Sequence, residues 1–127
     1  LITKLYSHLY GSEDLQRARK KVNAVTYEDY DDFVKKYGAP NSEEPVPVAI
    51  STVLYVFEEA GVLLSKKLVD IDLIDQLMGA MILRTWTNLM RLIGESRKRL
   101  NRPRVWTNFE YLYNELQKRE QTLQATQ

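Results

Sequence analysis

Apolar positions recur at three- and four-residue steps along almost the whole chain, the period of a helix with one buried face. Residues 2–10, ITKLYSHLY, place Ile2, Leu5, Tyr6 and Leu9 on one side and stop at Gly11, a helix C-cap. Ser12 reads as an N-cap, Glu13 and Asp14 suit the dipole of the helix they open, and Leu15, Ala18, Val22 and Val25 form its narrow stripe. Thr26 is the next expected N-cap. The segment TYEDYDDFVKKYG then sets Tyr30, Phe33, Val34 and Tyr37 on one face and stops at Gly38.

Residues 38–47, GAPNSEEPVP, carry three prolines and are predicted to be the one long loop and the most mobile segment. The pattern resumes at Val48, where Val53, Leu54, Val56 and Phe57 give a buried helix that should end at Gly61. Residues 62–69 are ambiguous. The longest element starts near Asp70 or Asp72 and reaches about Leu100, with Leu73, Ile74, Leu77, Met78, Met81, Ile82, Thr85, Leu89 and Ile93 on one stripe. Between Leu77 and Leu83 it is apolar nearly all round, which marks a central helix contacted on several sides. Gly79 in that stretch lowers helix propensity by about 1 kcal/mol relative to alanine, and close approach of a neighbouring helix would account for it. Asn101 and Pro103 force a break, and a last helix from about Pro103 to Leu123 sets Val105, Phe109, Leu112, Leu116 and Leu123 on one side. Trp86 is expected to pack against it, and the tail 121–127 should fray.

The fold class that follows is all-α: a single helical domain over residues 1–127, a bundle of five to six helices. Its long central helix covers about residues 72–98, with 103–120 packed antiparallel to it. A chain of 127 residues can bury such a core without staples. Purely apolar runs, such as 61–64, are short, so no bilayer-spanning segment is expected, and no signal peptide is visible. The first residue is Leu1, which would fit the removal of an upstream anchor.

Composition removes several chemistries. The chain has no cysteine, which excludes disulfides and thiolate sites and fits a reducing compartment. His8 is the only histidine, so a Ser-His-Asp triad has no second imidazole to choose from, and metal sites with two imidazoles are excluded. Residues 28–32 are dense in carboxylates but lack the glycine and spaced oxygens of a calcium loop. A magnesium-dependent phosphohydrolase would need Glu28, Asp32, Glu58 and Glu59 together, and after Glu58-Glu59 the expected third acid is missing. No glycine-rich phosphate loop occurs. The expectation is therefore no enzyme, no catalytic or metal residues and no cofactor.

Charge is unevenly spread. Net charge is +1, yet residues 26–75 carry eleven acids and four bases, while 84–104 carry seven bases and one acid. The stretch FEEAGVLLSKKLVDIDLIDQL (57–77) has the outline of a helix-turn-helix, but Asp70, Asp72 and Asp75 stand where DNA would need donors. It is better read as a corner. The partner-binding candidates are Arg91, Arg97, Lys98, Arg99, Arg102 and Arg104, with Trp106 beside them as a stacking residue. Dipole stabilisation at a helix C-terminus and a contact with the chain's own acidic half explain the same residues.

The corner, the later RTWTNLMRLI and the segment ESRKRLNRPRVWTNFEYL together resemble a family of prokaryotic domains of unknown function. The similarity rests on Phe57, Glu58, Gly61, Val62, Leu64, Asp70, Leu73, Trp86, Ile93, Arg97, Phe109, Glu110 and Leu112, over about residues 50–113. The resemblance implies an all-helical fold, often behind an N-terminal membrane helix, and no established activity. The reading of function is a non-catalytic protein-interaction or regulatory module that self-associates or binds a protein partner. The alternative is electrostatic binding of nucleic acid or anionic lipid through residues 91–104. The expected compartment is the cytoplasm, or the cytoplasmic face of a membrane.

Overall fold

A computed structural model describes residues 2–126, side chains of Ile2, His8 and Leu9 excepted. It contains six helices and, among the described residues, no strand: α1 Ile2–Gly11, α2 Glu13–Asn23, α3 Tyr30–Tyr37, α4 Pro45–Ser65, α5 Ile71–Arg99 and α6 Thr107–Ala125. The all-α bundle with a long central helix is as the periodicity predicts. α6 runs to Ala125, and Leu73 of the expected α5 stripe and Leu123 of the α6 stripe are 39% and 41% exposed, since no neighbouring helix among the described residues covers those positions.

Local chemistry sets the boundaries. Ser12 caps α2 by accepting the Leu15 N–H at 3.3 Å, as its place before two acids predicts. At α3 the cap is Asp29, not Thr26. Asp29 Oδ1 accepts the Asp32 N–H at 2.8 Å, and Asp32 Oδ2 accepts the Glu28 N–H at 2.9 Å. Two carboxylates satisfying two backbone donors outcompete a single hydroxyl. Thr26 instead lies in an extended strap, its N–H donating to the Tyr37 hydroxyl at 3.2 Å. The strap buries Val25 and Tyr27, and the Tyr27 hydroxyl donates to the Asn88 carbonyl at 2.6 Å, tying it to α5.

The proline stretch is shorter as a loop than expected. α4 begins at Pro45, three residues before Val48, because a proline in the first turn lacks only an N–H that would have no intrahelical partner. Gly38, at φ +97°, ends α3 in a conformation that favours glycine. Nor does α4 end at Gly61: it runs to Ser65, and a turn containing Lys67 at φ +60° leads into α5. Asp70 caps α5 by accepting the Asp72 N–H at 2.8 Å.

α5 is kinked at Met78 (φ −150°, ψ 15°), just before Gly79. What crowds Gly79 is the helix's own Asp75: a Cβ there would lie 2.1 Å from Asp75 Oδ1. The expected neighbouring helix is not what the glycine accommodates. Asp75 is drawn into place by Arg119 of α6, which reaches both Asp72 Oδ1 and Asp75 Oδ2 at 2.6 Å. Arg97, near the end of α5, meets Glu110, near the start of α6, at 2.8 Å. These three ion pairs, two at one end and one at the other, hold α5 and α6 antiparallel. Residues 100–106 form a turn rather than the start of the last helix, with Asn101 and Trp106 both at positive φ.

The core lies where α4 packs against each of the other five helices. Phe33, Phe57, Phe109, Leu54, Ile82 and Leu89 are fully buried in it. Trp86 sits edge-on to Phe109 at 5.2 Å and stacks on Tyr113 at 5.6 Å, so it packs against the last helix as expected. One correction concerns hydrophobicity. With 21 residues and a mean hydropathy of 1.6, α4 is long and apolar enough to cross a membrane. Its few polar positions break every run while leaving the average high. In this fold Val53, Leu54, Val56, Phe57 and Ala60 of that helix are buried against its neighbours.

The Asp32 carboxyl is held below the usual carboxylate range, first by the Glu28 N–H and then by Lys36. A depressed native pKa stabilises the fold above the ordinary value of about 3.9 and ceases to do so as pH falls through the native value. Asp32→Asn should therefore unfold at lower urea than wild type near neutral pH, with the gap closing in acid. Urea titrations at the two pH values check this; a gap independent of pH would contradict it.

Candidate functional site

The segments that carry the family resemblance come together at the junction of α4 and α6. Trp106, in the left-handed region at φ 60°, occupies the N-cap position of α6 and offers no side-chain hydrogen bond. Glu58 of α4 supplies what is missing. Its Oε1 accepts the Phe109 N–H at 2.9 Å, and its Oε2 accepts Asn108 Nδ2 at 2.9 Å and the Asn108 N–H at 3.4 Å. A carboxylate at a helix N-terminus meets both unpaired donors and the positive end of the dipole. One turn on, Gly61 allows the backbone of α6 to come close: a Cβ there would lie 2.1 Å from the Asn108 carbonyl oxygen. Beneath, the rings of Phe57 and Phe109 lie 5.2 Å apart.

Glu58 is thereby committed to structure. Asp32 is committed to its cap and to Lys36 at 3.2 Å. The four-acid arrangement considered for a phosphohydrolase does not assemble: among the described residues no group of three or more acids and histidines could hold a metal ion.

The basic residues of 91–104 fall into two groups. Three are engaged within the chain. Arg91 Nη1 donates to the Glu28 carbonyl at 2.9 Å and its guanidinium lies over the Tyr27 ring, whose burial pushes that phenol above its ordinary pKa. Arg97 holds Glu110 and donates from Nε to the Val105 carbonyl at 3.0 Å. Arg99 pairs with Asp31 at 2.9 Å and with Glu95, and covers the Tyr30 ring at 4.5 Å. Two of the three reach the acidic stretch of the same molecule, Arg99 through the Asp31 carboxylate and Arg91 through the backbone of Glu28. Lys98 is exposed and only 3.7 Å from Glu95. Arg102 and Arg104 are exposed and pair with no carboxylate among the described residues.

Trp106 packs edge-on against Tyr55 of α4, ring centroids 5.0 Å apart. Tyr55 is 66% exposed, and Val48 and Val62, one on either side of it along α4, are 45% and 38% exposed. With Thr52 and Glu59 between them, these residues follow steps of four, three, four and three, one straight line along the helix. Sequence reasoning missed this line because α4 is apolar on several faces. The signal was present in the residues left over once Val53, Leu54, Val56 and Phe57 had been assigned inward.

A family model for a domain of unknown function, DUF4760, matches residues 5–116. The chain belongs to that family. The DUF4760 match runs from α1 into α6, well beyond the 50–113 stretch on which the resemblance was first legible. No curated protein and no solved structure matches the chain. In this chain the Phe57-Glu58-x-x-Gly61 segment makes a ring contact, a cap and a close approach to one helix end.

Gly61→Ala should lower the stability of this DUF4760 domain by about 3 kcal/mol, since its Cβ meets backbone that cannot easily move. Gly94→Ala is the control. It faces open space, and removing a glycine from a helix should stabilise by up to about 1 kcal/mol. Denaturant unfolding of both variants measures the contrast, which equal effects would remove.

Proposed function

We propose that this DUF4760 domain is a non-catalytic interaction module that self-associates through the exposed face of α4. The observation that carries the reading is the line Val48, Thr52, Tyr55, Glu59 and Val62, on a helix whose other faces are covered. Heptad-like spacing lets the same stripe of two copies pack together, and an isologous contact of this kind closes as a dimer. Tyr55 and Trp106 add large apolar area at small entropic cost, the composition that anchors interfaces. A net charge of +1, with acids and bases on separate stretches, adds little repulsion between copies.

Binding of nucleic acid or anionic lipid through residues 91–104 is the second reading, favoured by the exposed Lys98, Arg102 and Arg104. It is the weaker one, because Arg91, Arg97 and Arg99 already have partners within the chain. Two unpaired cations, Arg102 and Arg104, with Lys98 in an exposed pair with Glu95, give a shallow salt dependence, short of the steep one that six would give.

Multi-angle light scattering across a concentration series tests self-association. The wild type should shift from monomer toward dimer as concentration rises, and Tyr55→Lys with Val62→Lys should remain monomeric with an unchanged circular dichroism spectrum. A wild type that stays monomeric at high micromolar concentration would contradict the proposal.

A further inference from the structure

The loop 38–44, α4 and the α5–α6 turn enclose a cavity of about 120 Å³. Its floor is the apolar core side of α4 and α5: Ile50, Leu54, Leu89, Leu92 and Ile93. Asn41, Ser51, Tyr55, Arg102 and Trp106 surround the mouth. One buried polar group lines the interior. The Ser96 hydroxyl, in a residue only 7% exposed, donates to the Leu92 carbonyl at 2.7 Å and so keeps its lone pairs free to accept.

We propose that this cavity is a binding site for a small apolar monoanion, a short aliphatic or aryl carboxylate, with its hydrocarbon end in the cavity and its carboxylate on Arg102. Size is the first argument. An apolar cavity of about 150 Å³ stays dry and admits benzene, so one of this volume takes a ring or a short alkyl chain and little more. Lining is the second, since ligand sites are mainly apolar with a few convergent polar groups, and both kinds are placed accordingly here. Charge is the third. Arg102 stands at the mouth with no carboxylate partner among the described residues, although the nearby Arg97 and Arg99 are both paired. A guanidinium with its fork free is suited to bidentate contact with a carboxylate.

The backbone around the mouth supports the same assignment. Asn101 and Trp106 flank the arginine segment at φ 52° and 60°, conformations that non-glycine residues adopt at a cost. The four residues they bracket include Arg102, and the turn places the Trp106 ring against Tyr55, so the strained positions shape the rim. An unfilled cavity is itself destabilising. A ligand offsets that loss. The inference goes beyond the self-association reading and does not depend on it.

The experiment is a titration of the ¹⁵N-labelled full chain with hexanoate and phenylacetate, and with hexanamide as the uncharged counterpart. Saturable shifts at the amides of Ser51, Leu92 and Ser96 and at the Trp106 indole N–H are expected for both acids, with hexanamide clearly weaker. Arg102→Gln, an exposed change that leaves the fold intact, should weaken hexanoate about tenfold and leave hexanamide unchanged. Ser51→Phe, which fills the cavity from α4, should abolish binding of all three, with circular dichroism confirming that the variant folds. Linear, non-saturating shifts, shifts remote from these residues, hexanamide binding as tightly as hexanoate, or an Arg102→Gln variant that binds hexanoate like wild type would each overturn the proposal.

Discussion

The carboxylate of Glu58 at the N-terminus of α6 is the contact on which the arrangement of this fold turns. A helix that starts behind a left-handed tryptophan has no cap of its own, and its first N–H groups would be left without partners beside the core. Glu58 reaches them from another helix. The contact requires α6 to lie against α4 at close range, and Gly61 supplies the room. Once the two backbones are that close, Phe57 and Phe109 meet and Trp86 of α5 seals the ring cluster from the other side. The ion pairs of Arg97 with Glu110 and Arg119 with Asp72 and Asp75 then hold α6 along α5 at both ends. A burial pattern shared by many helical bundles becomes one specific geometry through this junction.

Charge follows a related logic. The separation of acids and bases along the sequence looks like the signature of a polar binding surface. In three dimensions α3 and the strap before it bring Glu28 and Asp31 to the side of α5 that carries Arg91 and Arg99. One ion pair, Arg99 with Asp31, and the Arg91 contact with the Glu28 carbonyl join the two stretches and secure the shortest of the helices. Arg102 and Arg104, in the turn between α5 and α6, pair with no carboxylate among the described residues. That turn borders both the exposed line of α4 and the cavity beside it.

Periodicity and capping made much of this legible in the sequence. The helix count, the Ser12 and Asp70 caps, the stop at Gly38, the long α5 and the packing of Trp86 all follow from local rules acting on local residues. What was not legible depends on partners distant in sequence. Gly61 reads as a helix stop, because nothing in its neighbourhood tells that Asn108 will lie on it. Gly79 reads as a helix contact, although its crowding comes from an Asp75 that Arg119 holds in place. Thr26 is a reasonable cap until two aspartates three and six residues later prove stronger. Pro45 and Pro47 suggest a loop by composition, yet both fit in a first turn. The candidate surface was hidden for a different reason. In a helix apolar on several faces, which face stays exposed is decided by the other helices, and the pattern on α4 alone does not choose between them.

The central claim is that α6 depends on Glu58 of α4 for its beginning. Amide hydrogen exchange, read residue by residue in wild type, Glu58→Ala and the neighbouring Glu59→Ala, tests it most directly. The account predicts that Glu58→Ala accelerates exchange at Phe109 and through the first turns of α6, leaves α2 comparatively protected, and that Glu59→Ala does neither. Equal protection of α6 in the two variants would contradict it.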